Sequence, residues 1–271
     1  MKMKYALFLS LLLGALLLTN ISCNNDTPDE EETAGHISFT FSHLVDGLPL
    51  QKDNMKYLNT AGNPYEINQV MYFISDVILH NSDGTQKLIS DWTDNHYVDI
   101  DIPSTLTWDV YDDITAGTYD SITFIFGFTG EKNKSFMFVN PPEVNMMWPD
   151  ILGGGYHYMM INGSWKDNGN VTKSFAFHMG IGQLYKSNVI EVDSIYAFVQ
   201  NYFTVSLPAS AFTIEKNKTR RIELIMNIES WFKTPHIYDH NYWGGAIMQD
   251  QAAMQMAKEN GFDVFEVGVI Q

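Results

Sequence analysis

From His36 onward the chain alternates apolar and polar residues in short runs separated by turn residues, the period-two pattern of strands with one buried face. In HISFTFSHLV, Ile37, Phe39 and Phe41 alternate with Ser38, Thr40 and Ser42. NQVMYFISDVILHNSDGTQKLIS reads as a hairpin, with a strand to His80, a turn at Ser82-Asp83-Gly84 and a return strand. HYVDIDI and AGTYDSITFIFGF give further strands, the second entered through a turn at Ala116-Gly117. YHYMMINGSW and TKSFAFHMG flank the turn-rich KDNGNV as a second hairpin, followed by strands around SIYAFVQNYFTVSL and RRIELIMNI. The predicted fold class is all-β, an antiparallel sandwich of the Ig-like or jelly-roll-like kind with a short C-terminal helix.

Two stretches depart from alternation. TGEKNKSFMFVNPPEVNMMWPDILGGG, with Pro141, Pro142, Pro149 and three consecutive glycines, reads as a long loop, a feature that in compact domains often carries function. Near the C-terminus, Thr234-Pro235 offers an N-cap followed by proline at a first helical position. GGAIMQDQAAMQMAKENG then reads as a helix stopped at Asn260-Gly261, with Met248, Met254 and Met256 spaced as core contacts. FDVFEVGVI closes the chain as a last strand or docked tail.

The first residues change the picture of where such a domain works. Lys2 and Lys4 precede an apolar run from Ala6 to Leu18 that is too short to cross a bilayer and reads as a secretory signal. It ends at Cys23, the only cysteine, directly after a small residue, as in a bacterial lipoprotein lipobox, with Asn20 standing where a leucine is usual. The division expected is a signal over residues 1–22, a lipidated acidic tether over 23–35 and one domain over 36–271. An acidic stretch behind a lipidated cysteine resembles the surface-export signal of Bacteroidetes-type lipoproteins, which places the domain on the outer face of an outer membrane, held through its lipid anchor. The plainer alternative is a secreted protein with a single thiol.

Charge narrows the partners. The chain has 16 basic and 32 acidic residues, a formal charge of −16. Loss of Lys2 and Lys4 with the signal makes that −18. Nucleic acid and anionic lipid surfaces are poor partners for such a protein, and cations are good ones. No phosphate-binding glycine loop, G-x-S-x-G elbow, H-E-x-x-H or cysteine-based zinc pattern occurs, and no nucleophile–base set is visible, so the expected role is non-enzymatic.

The eight histidines are more selective than the many carboxylates. On the two hairpin strands, alternation places His157 with Met159 and His178 with Ala176 and Ser174, while Phe175 and Phe177 point to the core. With a suitable register His157 and His178 share a face. Imidazole with thioether is a soft ligand set that suits copper, Cu(I) in particular, and Met146, Met147, Met159, Met160 and Met179 supply sulfur nearby. Against this stands the ordinary strand histidine, hydrogen-bonded and structural. His236 and His240 form a second candidate at i,i+4 spacing if Pro235 begins a helical turn. Trp92, Trp108, Trp148, Trp165, Trp231 and Trp243 lie at or near predicted strand ends or loops, where exposed rings can stack on sugars.

The ordered series FSHLVDGLPL, YLNTAGNPY, MYFISDVIL, HYVDID, AGTYDSITFIFG, NMMWPD, GGGYHYMMINGSW and FAFHMG resembles the MbnP-like family of secreted or surface copper-binding proteins, which includes the MopE and CorA proteins. ESWFKTP and AIMQDQAAMQMAKENGFDVF look like segments of its Bacteroidetes lipoprotein branch. The resemblance implies a β-sandwich and copper held by two histidines and a kynurenine, the latter made from tryptophan with the aid of a di-haem peroxidase-like partner. His178 in FHMG matches the family's histidine-glycine motif, and His157 in GGGYHYMM is similar to the lipoprotein branch. His43 and His96 lie in family-like motifs as secondary candidates. Trp148 in MMWP and Trp92 near His96 are the candidates for the modified tryptophan. The expected function is a cell-surface lipoprotein that binds a metal ion, copper, for capture or handover. The alternative is a surface glycan- or protein-binding lipoprotein without metal.

Overall fold

Alternation of the HISFTFSHLV kind buries one face of each strand, and two such faces close on each other as a sandwich. The computed structural model describes residues 33–186 and 189–271; the expected signal over 1–22 and the expected lipidation site Cys23 lie outside them. Before the long loop the chain forms β1 (Ala34–Val45), β2 (Leu48–Pro49), β3 (Tyr57–Leu58), β4 (Pro64–Asn81), β5 (Gln86–Leu88), β6 (Asn95–Asp99), β7 (Thr107–Asp109), β8 (Ile114–Thr115) and β9 (Gly117–Phe126). After it come β10 (Met159–Lys166), β11 (Thr172–Met179), β12 (Ile181–Tyr185), β13 (Ile195–Gln200), β14 (Phe203–Leu207), β15 (Phe212–Ile214), β16 (Thr219–Asn227) and β17 (Phe265–Ile270). Ala34 and Gly35, placed in the tether by sequence, already pair with Thr115 and Ile114.

One sheet runs β17-β16-β1-β2, with β7 and β8 also on β1. The other runs β11-β10-β4-β9-β14, with shorter strands on β4 and β9. The pairings are antiparallel except that of β1 with β16, which is parallel with Phe39 opposite Ile222. So much chain separates these two strands that a parallel crossover costs nothing special. Phe265 of the first sheet meets Tyr72, Phe124 and Phe126 of the second at ring centroid distances of 5.9, 5.3 and 5.6 Å. Each such ring contributes about 1.5–3 kcal/mol by leaving water.

Three local expectations change. SIYAFVQNYFTVSL does not make one strand: Asn201 is buried and donates to Gly180 O, so β13 pairs with β12 while β14 joins β9. Residues 234–239 are not helical. The first turn, α1 (His240–Trp243), starts where the Asp239 side chain accepts from Asn241 N. The second, α2 (Gln251–Asn260), starts where Asp250 accepts from Ala253 N. An aspartate at each start satisfies an orphan amide, which outweighs the Thr-Pro signal upstream. The helix ends at Asn260 as expected, and Met254 is fully buried with Ala253 and Ala257.

The long loop is packed rather than loose. It folds over the outer face of the larger sheet, where Phe73 of β4 stacks on Phe138 at 5.3 Å and meets Phe128 at 4.8 Å and Tyr156 at 6.3 Å. β4 is therefore buried on both faces around Tyr72 and Phe73, each 0 % exposed.

Candidate metal centre

The glycines that close the loop are required by its path. Gly153, Gly154 and Gly155 have φ of +116°, +69° and +80°, and a Cβ on Gly155 would stand 2.5 Å from the Asn133 side chain. Asn133 in turn accepts from Tyr156 N at 2.8 Å and donates to Tyr156 O at 3.3 Å. These contacts return the chain beneath its own earlier part: Trp148 N donates to Gly155 O and His157 N donates to Met146 O. The turn fixes the path that brings in His157.

His157 and His178 meet. Their ring centroids are 5.2 Å apart with planes at 85°. Trp148, fully buried, packs edge-on against His157 at 4.6 Å and donates from Nε1 to Leu152 O at 3.1 Å. Gly180, the last residue of FHMG, makes room for that ring, since a Cβ there would lie 2.5 Å from Trp148 Cε3.

Hydrogen bonds decide which nitrogen of each ring carries a lone pair. His157 Nδ1 is 2.9 Å from Met146 O. A carbonyl only accepts, so Nδ1 carries the hydrogen and Nε2 the lone pair. That Nε2 is buried with no hydrogen-bond partner. His178 Nε2 is 2.8 Å from Asn162 Oδ1, an amide oxygen that only accepts, and Asn162 Nδ2 donates to Gln69 Oε1 at 3.0 Å. His178 therefore donates from Nε2 and keeps its lone pair on Nδ1.

Burial keeps both rings neutral. Desolvation, opposed by hydrogen bonds to the loop backbone, lowers the His157 pKa to about 4. Desolvation and then the neighbouring His157 lower that of His178 to about 3. Two neutral imidazoles, each oriented by an outer partner, are in the protonation state that can ligate a metal ion. Among the described residues no group of three or more His, Cys, Asp or Glu is gathered for a metal.

The remaining candidates fall elsewhere. The strand alternation does not reach back to His157: a bend at Tyr158 intervenes, and Met159 and Met179 face each other in the core, 0 % exposed, on the opposite face from His178. Met160 is the methionine directly across from His178. His43 is buried against Tyr72 at 5.7 Å with an unpartnered Nε2. His96 is sandwiched between Phe41 and Trp108, both at 5.1 Å, and bonds Thr105 O through Nε2. Neither touches His157 or His178. Trp92 is 91 % exposed and stacks on Tyr111. It has no contact with His96, which leaves Trp148 as the tryptophan beside the pair. His236 pairs with Glu259 at the surface, whereas His240 is fully buried, so the i,i+4 pair does not form. Trp108, Trp148, Trp165 and Trp231 are core residues rather than a sugar platform. Sequence reasoning missed Asn162 and the Met146 carbonyl, whose roles appear only once strand register and loop path are known.

The family model named MbnP matches residues 34–249. The chain belongs to the MbnP family. Among solved structures it is similar to MbnP from Methylosinus trichosporium, with a TM-score of 0.52 and 14 % sequence identity over 87 % of this chain and 98 % of that one. At that identity the likeness to the MbnP structure is one of fold. A search of curated proteins gave no match.

Proposed function

We propose that this protein binds copper, without catalysing a reaction, through His157 and His178, and that it works as an outer-membrane lipoprotein anchored at the cell surface through Cys23, capturing the metal or handing it on. The observation that carries this reading is the meeting of two neutral imidazoles, one buried and one partly buried, whose hydrogen bonds leave one lone pair on each, the first of them without any partner. Membership of the MbnP family supports copper over other soft ions. Trp148, in contact with His157, is the residue placed for conversion to a kynurenine ligand by a di-haem peroxidase-like partner. Bound copper would supply a recognisable cargo, while this chain's part is to hold two rings in fixed tautomers and keep water away from them.

Metal analysis after loading with Cu(I) under reducing conditions tests this reading. Wild-type protein is expected to retain copper, and His157→Ala and His178→Ala to lose it; wild-type copper at background level refutes the proposal. A mass shift confined to the Trp148 peptide in protein from its native host would mark the kynurenine.

A second reading rests on the exposed Trp92–Tyr111 stack, whose rings lie 5.6 Å apart at 30°. Flat aromatic surface of this kind binds sugar rings. Glycan-array binding abolished by Trp92→Ala and indifferent to His178→Ala would favour this reading, and an array with no signal would dismiss it.

A further inference from the structure

Near the histidine pair Met146, Met159 and Met179 are fully buried in the core, whereas Met71, Met147 and Met160 are only partly buried, and two of these three lie in line with His178 on the sheet. Cross-strand pairing aligns His178 of β11 with Met160 of β10, Met160 with Met71 of β4, and Met71 with Asp99 of β6. Residues directly opposite in a ladder project to the same face with Cβ atoms roughly 4.5–5.5 Å apart. His178, Met160 and Met71 therefore form one row on the outer face of the larger sheet. All three are only partly buried, whereas Met159 and Met179, on the core face, are 0 % exposed.

The polar groups that flank this row are already engaged, which leaves sulfur as the donor type along it. On one side the next outward row, Asn162 and Gln69, is closed by its own hydrogen bond and by Asn162's bond to His178. On the other side lie His157 and the aromatic roof of the loop around Phe73. The far end of the row stops at Asp99, whose carboxylate is already engaged by Tyr97 OH at 2.9 Å and Asp101 N at 2.8 Å. A leucine would cover this face as well as a methionine if packing were the only demand. Methionine adds a long, flexible side chain ending in a soft sulfur, the ligand type that selects Cu(I) over Zn(II).

We propose that Met160 is a further, thioether donor to a metal held by His157 and His178, and that Met71 is the next sulfur in line, so that the row His178–Met160–Met71 is a track along which a monovalent soft metal ion enters or leaves the site. This rests on the two-histidine reading and assigns it a metal preference and a direction of exchange. Only dative bonds are made and broken along the row, so no oxidant or reductant is needed.

The test uses protein labelled with methyl-13C methionine and titrated with Ag(I), a redox-inert stand-in for Cu(I), in wild type, Met160→Leu, Met71→Leu and His178→Ala. The first equivalent of Ag(I) is expected to move the Met160 methyl signal most and Met71 next, leaving Met159 and Met179 in place. Met160→Leu is expected to weaken Ag(I) and Cu(I) binding by at least about tenfold, with Zn(II) binding unchanged. Met71→Leu is expected to slow metal exchange with little change in affinity. Ag(I) bound in a His178-dependent way with the Met160 methyl unmoved overturns the thioether proposal and leaves the histidine pair standing. A Met160 shift that persists in His178→Ala overturns the joint site, because the sulfur then binds on its own. Absence of binding in wild type removes both readings.

Discussion

His157 and His240 both lie against aromatic rings, and burial lowers each pKa to about 4. Around His157 a backbone carbonyl takes the Nδ1 hydrogen, a second histidine stands at 5.2 Å, and one lone pair is left aimed and unpartnered. Around His240 the neighbours are Phe175 at 4.5 Å, Tyr238 at 5.0 Å, Phe232 at 5.2 Å and Trp165 at 5.6 Å, and neither ring nitrogen has a partner. Nothing there selects a tautomer or supplies a second ligand. Desolvation and a depressed pKa therefore say where water is excluded, and only an oriented lone pair beside a second donor makes such a place a metal site.

The comparison breaks most visibly at His240. If its nitrogens are unpaired, His240→Phe removes two unsatisfied polar atoms from an aromatic cage and is expected to stabilise the fold by about 1–3 kcal/mol at pH 7. The pH dependence follows from the lowered pKa. Above pH 6.5 the ring is neutral in both states; as pH falls from 6.5 toward about 4 the unfolded chain takes up a proton the folded one refuses, and stability drops. At pH 4.5 the advantage of His240→Phe should grow by roughly 2–3 kcal/mol more. Urea unfolding at both pH values measures this, with metal binding unchanged at pH 7. A variant less stable than wild type at both would mean that the nitrogens have found partners. His43, with its pKa also lowered to about 4 by burial, adds to the same acid limb.

Much of this was legible in the chain. The strand pattern located the sandwich, and Phe175 and Phe177 correctly assigned His178 to the outward face. The position of His157 was not legible, because its strand begins only at Met159 and the loop path that sets it depends on contacts such as Asn133 to Tyr156, far apart in sequence. His43 and His96 look like ligands by residue type, yet one is wedged against Tyr72 and the other is stacked between two rings, arrangements set by sheet pairing. Asp239 and Asp250 moved the helix starts because caps compete, and local spacing alone does not rank them.

Gly180→Ala sharpens the comparison from the other side, by disturbing the wall of the pair. The new Cβ would lie 2.5 Å from Trp148 Cε3 and 2.6 Å from Cζ3, so the indole must shift in a packed core. Overpacking of this kind costs about 1–3 kcal/mol. Because Trp148 packs on His157, copper affinity should fall together with stability, and the fluorescence of the mutant should report a displaced indole. Unchanged copper affinity in a destabilised variant would show that the wall is structural only. His240 and its cage should be indifferent to this change.

The smallest and most specific effect concerns Asn162, which touches no lone pair and acts only by holding the hydrogen on His178 Nε2. Loss of such an outer partner typically lowers metal affinity by about 10–100-fold. Asn162→Ala is expected to fall in that range with little loss of stability, since the residue is half-buried on the outer face. Asn162→Asp, which keeps an acceptor, should restore binding. The readout that separates orientation from packing is the imidazole 15N spectrum of the apo protein. Wild type should show His157 protonated on Nδ1 and His178 on Nε2, and Asn162→Ala should mix the His178 tautomers alone. A wild-type spectrum with His178 protonated on Nδ1 would place its lone pair toward Asn162 and away from the site, and would remove the distinction drawn between this pair and His240.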